Sequence, residues 1–236
     1  MDVQFIDELA ANGRTPLHAA LPWAKVTASA ALLAASIAAR TPVAAGIAAA
    51  AVAVLLLASA SPGQLRYAAA MALYPVFFAG LFASGWIRSS PLFALTVVVK
   101  AFSAGLVTAT LITTTPFVDI FAAISRATPA MVSDALFMAY RSFFVLINEM
   151  QGLLRAVRLR GGAGRGLLQQ LRTYGQVLGV VILHSADMTE RMYRVMIVRG
   201  YSQRIESARE WPPPRPLDYL LVAYAGAVLG LILALR

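Results

Sequence analysis

The chain has 236 residues, of which 59% are apolar and only 13% charged; it carries a net charge of +9 and no cysteine. With a mean hydropathy of +0.71, this excludes a disordered chain, a coiled coil and an ordinary soluble enzyme, whose apolar share lies nearer 45–50%. The lack of cysteine excludes a disulfide scaffold, a Cys-ligated zinc site and a cysteine nucleophile.

What remains is an all-α polytopic membrane protein of about five transmembrane helices plus a cytoplasmic block of long amphipathic helices. In chain order, Asp2, Asp7 and Glu8 stand where a signal peptide would carry basic residues, so the expectation is a cytoplasmic tail leading into an interfacial helix. Five apolar stretches then read as spans: Trp23–Ala39, Pro42–Ala60, Tyr67–Ile87, Leu92–Thr115 and Leu217–Leu235. Lys25 makes the first the weakest. This divides the chain into 1–115 (tail and spans one to four), 116–216 (cytoplasmic block) and 217–236 (last span). The block from 126 to 215 holds 13 Arg against 6 Asp and Glu, which is +7 of the net +9. Arginine-rich loops stay inside, so the N-terminus is expected inside and the C-terminus outside. Without an RNA-recognition signature or a Gly/Arg-rich run, this charge points to no nucleic acid.

Within the spans, Gly80 and Ser84 are spaced four apart, as are Gly226 and Gly230, a spacing that lets helix backbones approach. Lys100 lies inside span four, where an ionisable group is either a functional contact or a snorkelling side chain. These five residues are the candidate contacts for a membrane-embedded partner subunit.

The block itself reads as two long helices. Between Pro129 and Arg160, an apolar stripe runs from Leu136 through Phe144 and Met150 to Val157, with Asp134, Arg141, Asn148 and Arg155 opposite. From Gly166 to Arg199, a second stripe runs through Leu167, Leu171, Tyr174, Leu178, Val181, Met188, Met192 and Val195. Asp187, Glu190, Arg191 and Arg194 read as a salt-bridged polar side. Each helix would be on the order of 45–50 Å long, and the two are expected to pair through their stripes, Leu178 included. Trp211-Pro-Pro-Pro-Arg-Pro216 then forms a stiff extended strap to the last span.

Both helices end on Arg-x-x-x-x-Arg-Gly, as Arg155 to Gly161 and as Arg194 to Gly200. Arginine in a last turn offsets the helix dipole and glycine caps it. Two such ends on consecutive helices suggest twin docking tips, each offering a guanidinium to a partner's carboxylate.

The Pro22-Trp-Ala-Lys25 entry, the Tyr140-Arg141 and Glu149 region, and the run from Glu190 to Tyr201 complete a pattern covering nearly the whole chain. It resembles the transmembrane coupling component (EcfT) of energy-coupling factor transporters, most closely the cobalt-type CbiQ. The family's paired Ala-Arg-Gly tripeptides stand here as Leu159-Arg160-Gly161 and Val198-Arg199-Gly200, with both alanines replaced. The resemblance implies a coupling subunit of an ABC-type importer in the prokaryotic inner membrane. Arg160, Gly161, Arg199 and Gly200, with Arg155 and Arg194, would engage a CbiO-like ATPase dimer. Motion would pass to a CbiM-like substrate-binding membrane subunit, with a small CbiN-like subunit as a further partner. Cobalt is the implied cargo, with nickel or a vitamin as alternatives.

No phosphate-binding Gly-x-x-x-x-Gly-Lys-Ser/Thr loop occurs, and Gly161-Gly-Ala-Gly-Arg-Gly166 lacks its lysine. The chain is therefore expected to be no enzyme and to bind no cofactor, with ATP used by the partner. His18 and His184 are too few for a transition-metal site. His184 reads as a core or interfacial side chain. A self-contained secondary transporter is the rival class; it would need charges repeated across several spans or inverted-repeat hydropathy. A membrane-embedded enzyme would need a His/Asp/Glu constellation, and none is visible.

Overall fold

The computed structural model describes residue 10 and residues 15–59, 62–86, 88–161, 166–201 and 213–235. The acidic residues at 2, 7 and 8, the glycine turn at 162–165 and Trp211-Pro212 of the strap lie outside the described residues. Everything regular among those described is α-helix: α1 (Pro16–Ala19), α2 (Pro22–Ala38), α3 (Pro42–Ser59), α4 (Pro62–Ser84), α5 (Pro91–Thr114), α6 (Phe117–Ile124), α7 (Ala130–Leu159), α8 (Leu167–Val198) and α9 (Pro216–Ala234). Six of them begin on proline. Proline has no N–H to waste at a first helical position, and its fixed φ already suits the helix.

The chain forms two compact units, one of residues 1–124 and 209–236, the other of residues 125–208. The sequence reading divides the chain at residue 115, but α6 packs on α2 and buries Asp119 and Ala122, which places it with the first unit.

In the first unit the core is built mostly of alanine. Ala35, Ala45, Ala68, Ala72 and Ala225 are wholly buried, and larger side chains such as Val52, Val107 and Ile232 fill the space between. Small residues let helices approach in a medium where burial of oily surface supplies no drive. Polar contacts add to this: Ser103 Oγ donates to Ser36 Oγ at 3.0 Å, and Tyr224 Oη donates to the Ala51 carbonyl at 2.9 Å. Outward-facing Tyr74, Phe77, Phe78, Phe82, Leu92 and Phe93 are broadly exposed, a surface tolerable only where lipid covers it.

The most extensive helix pair is α4 with α5. At its centre Gly105 of α5 faces Pro75, the proline inside α4. A Cβ added at Gly105 would lie 2.8 Å from Pro75 Cγ and 3.1 Å from Ala72 Cα. The second neighbour is backbone and cannot step aside. Gly105→Ala is therefore expected to destabilise the chain by roughly 1–3 kcal/mol, read as a lower melting midpoint in detergent. Gly46→Ala, where a Cβ would meet nothing within 4 Å, should melt no lower than wild type. Equal midpoints for the two variants would refute the close contact.

Four helices among the described residues are long and apolar enough to cross a membrane: Leu65–Ser84 of α4, α5, α7 and α9. Three coincide with expected spans. The expected first span forms α2, of 17 residues, and the apolar stretch of the second is Pro42–Leu57; both fall short of that length. The fourth, α7, is assigned by the sequence reading to the polar block. Average hydropathy and periodicity disagree here for a simple reason. An average ignores that Arg141, Asn148 and Arg155, seven residues apart, gather on one exposed face, while Leu136, Tyr140, Phe144, Ile147 and Leu154 are half-buried on another.

Candidate functional site

In the second unit, α7 and α8 run antiparallel. Tyr201, just past α8, donates its hydroxyl to Asp134 Oδ2 at 2.6 Å in the first turn of α7. Further along, His184 Nε2 lies 3.2 Å from Glu149 Oε2. Rising numbers on one helix thus meet falling numbers on the other. His184 is accordingly a half-exposed interhelical side chain.

Two expectations for this pair are corrected. Helical spacing puts Asp134 on the polar side, but it is 3% exposed, because Tyr201 closes over it. The hydrogen bond to this carboxylate also pushes the Tyr201 phenol above its usual pKa. The α8 stripe does not pair along its length. Its line of contact runs from Val177 and Val181, both buried, to the half-buried Met188, Met192 and Met196, whereas Leu167, Leu171 and Leu178 are 81%, 65% and 51% exposed. The antiparallel register carries the first turns of α8 past the end of α7, so Leu167 and Leu171 have no partner stripe, and Leu178 lies on the outer side of the helix, next to the buried Val177.

The two Arg-Gly ends are the same piece of structure made twice. Arg160 closes α7 at φ −83°, ψ 6°, and Arg199 closes α8 at φ −82°, ψ 5°. Gly161 and Gly200 follow at φ +72° and +78°, the positive-φ glycines among the described residues. In each, the glycine N–H bonds back to the carbonyl three residues earlier: Gly161 to Arg158 at 3.1 Å, Gly200 to Ile197 at 3.0 Å. At the second end Tyr201 N–H also reaches the Met196 carbonyl at 3.0 Å, completing a Schellman cap. A side chain at either glycine would strain this left-handed turn by about 1–2 kcal/mol. Because Gly200 adjoins Tyr201, which bonds the start of α7, the second tip lies beside the end of α7 opposite Gly161. The rise per residue then separates the tips by about 40 Å.

Arg155, Arg160 and Arg199 are exposed and make no ion pair among the described residues. Arg194 is paired with Glu190, and Arg191 with Asp187, as the polar-side reading expects. The Arg191 hydrogen bond holds the Asp187 carboxyl below the usual range. Three of the six candidate tip residues therefore offer a free cation, and two more shape the turn.

The candidates for a membrane partner sit in the first unit. A Cβ at Gly80, Gly226 or Gly230 would meet nothing within 4 Å, so these positions leave open surface on α4 and α9. Ser84 is exposed and its hydroxyl bonds back to the Leu81 carbonyl at 2.7 Å. Lys100 donates to the Ile37 carbonyl at 3.1 Å. It thereby satisfies an orphan carbonyl in the last turn of α2.

Sequence reasoning missed the polar knot at the other end of the bundle. Asp218, the third residue of α9, is 0% exposed. Its Oδ2 accepts the Arg215 N–H at 2.7 Å, and its Oδ1 accepts the Leu21 N–H at 2.7 Å. One carboxylate thus caps its own helix and, from outside, α2. Lys25, buried one turn into α2, donates to the Thr114 carbonyl that ends α5 at 3.0 Å and to the His18 carbonyl at 3.4 Å. Asp119 and Asp218 are close enough to attract its charge. Trp23 and Tyr219 meet edge to face beside this knot, with ring centres 6.5 Å apart. A local signal existed, since Arg215-Pro-Leu-Asp218 has the spacing of a capping box; the reach to Leu21 left none. Among the described residues no three His, Asp or Glu group as a metal site would.

A comparison with family models matches residues 13–211 to CbiQ, described as a cobalt transport protein. No curated protein matches the chain.

Proposed function

Because the chain belongs to the CbiQ cobalt transport protein family and is thereby a membrane component of cobalt transport, we propose that its part is mechanical. It acts as the coupling subunit of an energy-coupling factor importer in the prokaryotic inner membrane. The observation that carries this reading is the duplicated tip: identical Arg-Gly turns, with exposed guanidiniums, at opposite ends of an antiparallel helix pair. A monomeric partner would need one such end. Two copies about 40 Å apart suit the two halves of an ATPase dimer.

In this mechanism Arg160 and Arg199, flanked by Arg155 and Arg194, seat in acidic grooves of a CbiO-like ATPase dimer. Gly161 and Gly200 allow the tight turns that expose them. Closure of the dimer on ATP shifts the tips, and the long helices transmit the displacement. In this reading α7 lies on the cytoplasmic side of the membrane rather than across it; its exposed Arg141, Asn148 and Arg155 face and the arginine-rich charge of residues 126–215 support this. The open small-residue positions Gly80, Ser84, Gly226 and Gly230 serve a CbiM-like binding subunit, accompanied by a CbiN-like one. ATP hydrolysis belongs to the partner, since this sequence carries no phosphate-binding loop. Cobalt selection likewise belongs to the binding subunit, and a nickel or vitamin importer would use the same coupling parts.

The test is mild-detergent isolation of the tagged chain from its native membrane, with mass spectrometry of what accompanies it. An ABC-type ATPase and a small membrane-embedded binding protein are expected. Recovery of the chain alone, or as a homo-oligomer, would overturn the coupling role and favour a self-contained transporter.

A further inference from the structure

Where α7 and α8 meet, they enclose a groove of about 350 Å³. Its rim carries three guanidiniums, those of Arg141, Arg191 and Arg199, and its floor is the line Met188, Met192 and Met196. Among the described residues no carboxylate lines it. Arg141 and Arg199 make no ion pair among the described residues, and Arg191 shares its charge only with Asp187.

The chemistry of the walls selects the occupant. The rim offers hydrogen-bond donors in number, while the side-chain acceptors lining the groove are weak thioethers, the Ser142 hydroxyl and the His184 imidazole, whose Nε2 already meets Glu149. An extended peptide laid in it would leave its own N–H groups unsatisfied. A phosphodiester brings only acceptors, and guanidinium forks fit its oxygens. Behind the rim, flexible methionines make an apolar floor that adapts to a chain of no fixed shape. A ligand that is anionic at one end and aliphatic at the other satisfies both parts. The 13 arginines between residues 126 and 215 favour the leaflet in which anionic lipids abound.

We propose that the α7–α8 groove binds an anionic phospholipid, with the headgroup phosphate on Arg141 and Arg191 and an acyl segment along Met188, Met192 and Met196. The groove borders the second tip through Arg199, but Arg141 and Arg191, which hold the headgroup, belong to neither Arg-Gly turn, so the site can be tested separately from docking.

Native mass spectrometry of the full-length chain tests it, with dioleoyl phosphatidylglycerol and dioleoyl phosphatidylcholine titrated separately. Phosphatidylglycerol is expected to remain bound at collision energies that strip phosphatidylcholine. The double variant Arg141→Gln/Arg191→Gln should weaken its retention roughly thirtyfold. Arg172→Gln, on α8 but outside the groove, should leave retention unchanged and so separates the site from overall charge. Equal retention of the two lipids by wild type, or wild-type retention by the double variant, would overturn the proposal. So would displacement of the lipid by inorganic phosphate, which would make this a free-anion site. Displacement by an equimolar helical glutamate-rich peptide would make it a protein groove and overturn the proposal too.

Discussion

Replacing Asp218 by alanine is expected to unfold the first unit at markedly lower temperature than any single change on its lipid-facing surface. Two backbone N–H groups would lose their acceptor, that of Leu21 in a buried site and that of Arg215 in a part-buried one. A buried donor left unmade costs about 1–3 kcal/mol. Lys25 would also lose a counter-charge, leaving Asp119 as the other carboxylate that attracts it. The combined loss is about 3 kcal/mol or more. Asp218→Asn keeps the shape and one carbonyl acceptor, so it should fall between wild type and alanine. The measurement is the melting midpoint of the detergent-solubilised full chain, followed by fluorescence-detected size exclusion. Wild-type melting of Asp218→Ala would show that the double cap contributes nothing.

The second large effect concerns assembly rather than folding. Arg160→Glu and Arg199→Glu should each weaken attachment of the ATPase roughly tenfold, because attraction at one tip becomes repulsion. The double variant should retain almost none. Both arginines are exposed, and neither makes an ion pair among the described residues, so the variants should melt like wild type. That keeps a folding defect from imitating lost docking. Undiminished co-purification of the ATPase with a normally folded double variant would remove the tips from the coupling mechanism. If only one single variant lost the ATPase, the twin-tip symmetry would fail while docking survived.

Lys25 marks the limit of one-dimensional reading most clearly. In the sequence it is a charge that weakens the first span. In the structure it satisfies the last carbonyl of α5 and draws in two carboxylates. Lys100 follows the same pattern, answering the Ile37 carbonyl 63 residues away. Asp134 departs from its helical spacing for a related reason. Periodicity assigns a residue to a face of its own helix, but burial depends on what lies against that face, and Tyr201 covers this one. Periodicity likewise pairs the whole stripe of α8, because period alone says nothing of register.

What the sequence determined by itself was whatever acts within about one helical turn. Apolar composition forced helices in a membrane, since only internal hydrogen bonding satisfies the backbone there. Proline set six helix starts, and Arg-Gly set two matching ends through contacts three to five residues long. Tertiary structure decided everything that joins distant segments. It brought Asp218 to Leu21 across 197 residues, set the two tips at opposite ends of an antiparallel pair, and closed the arginine-rimmed groove. Such contacts depend on which helices pack together and in what register, and no local pattern of residues specifies either.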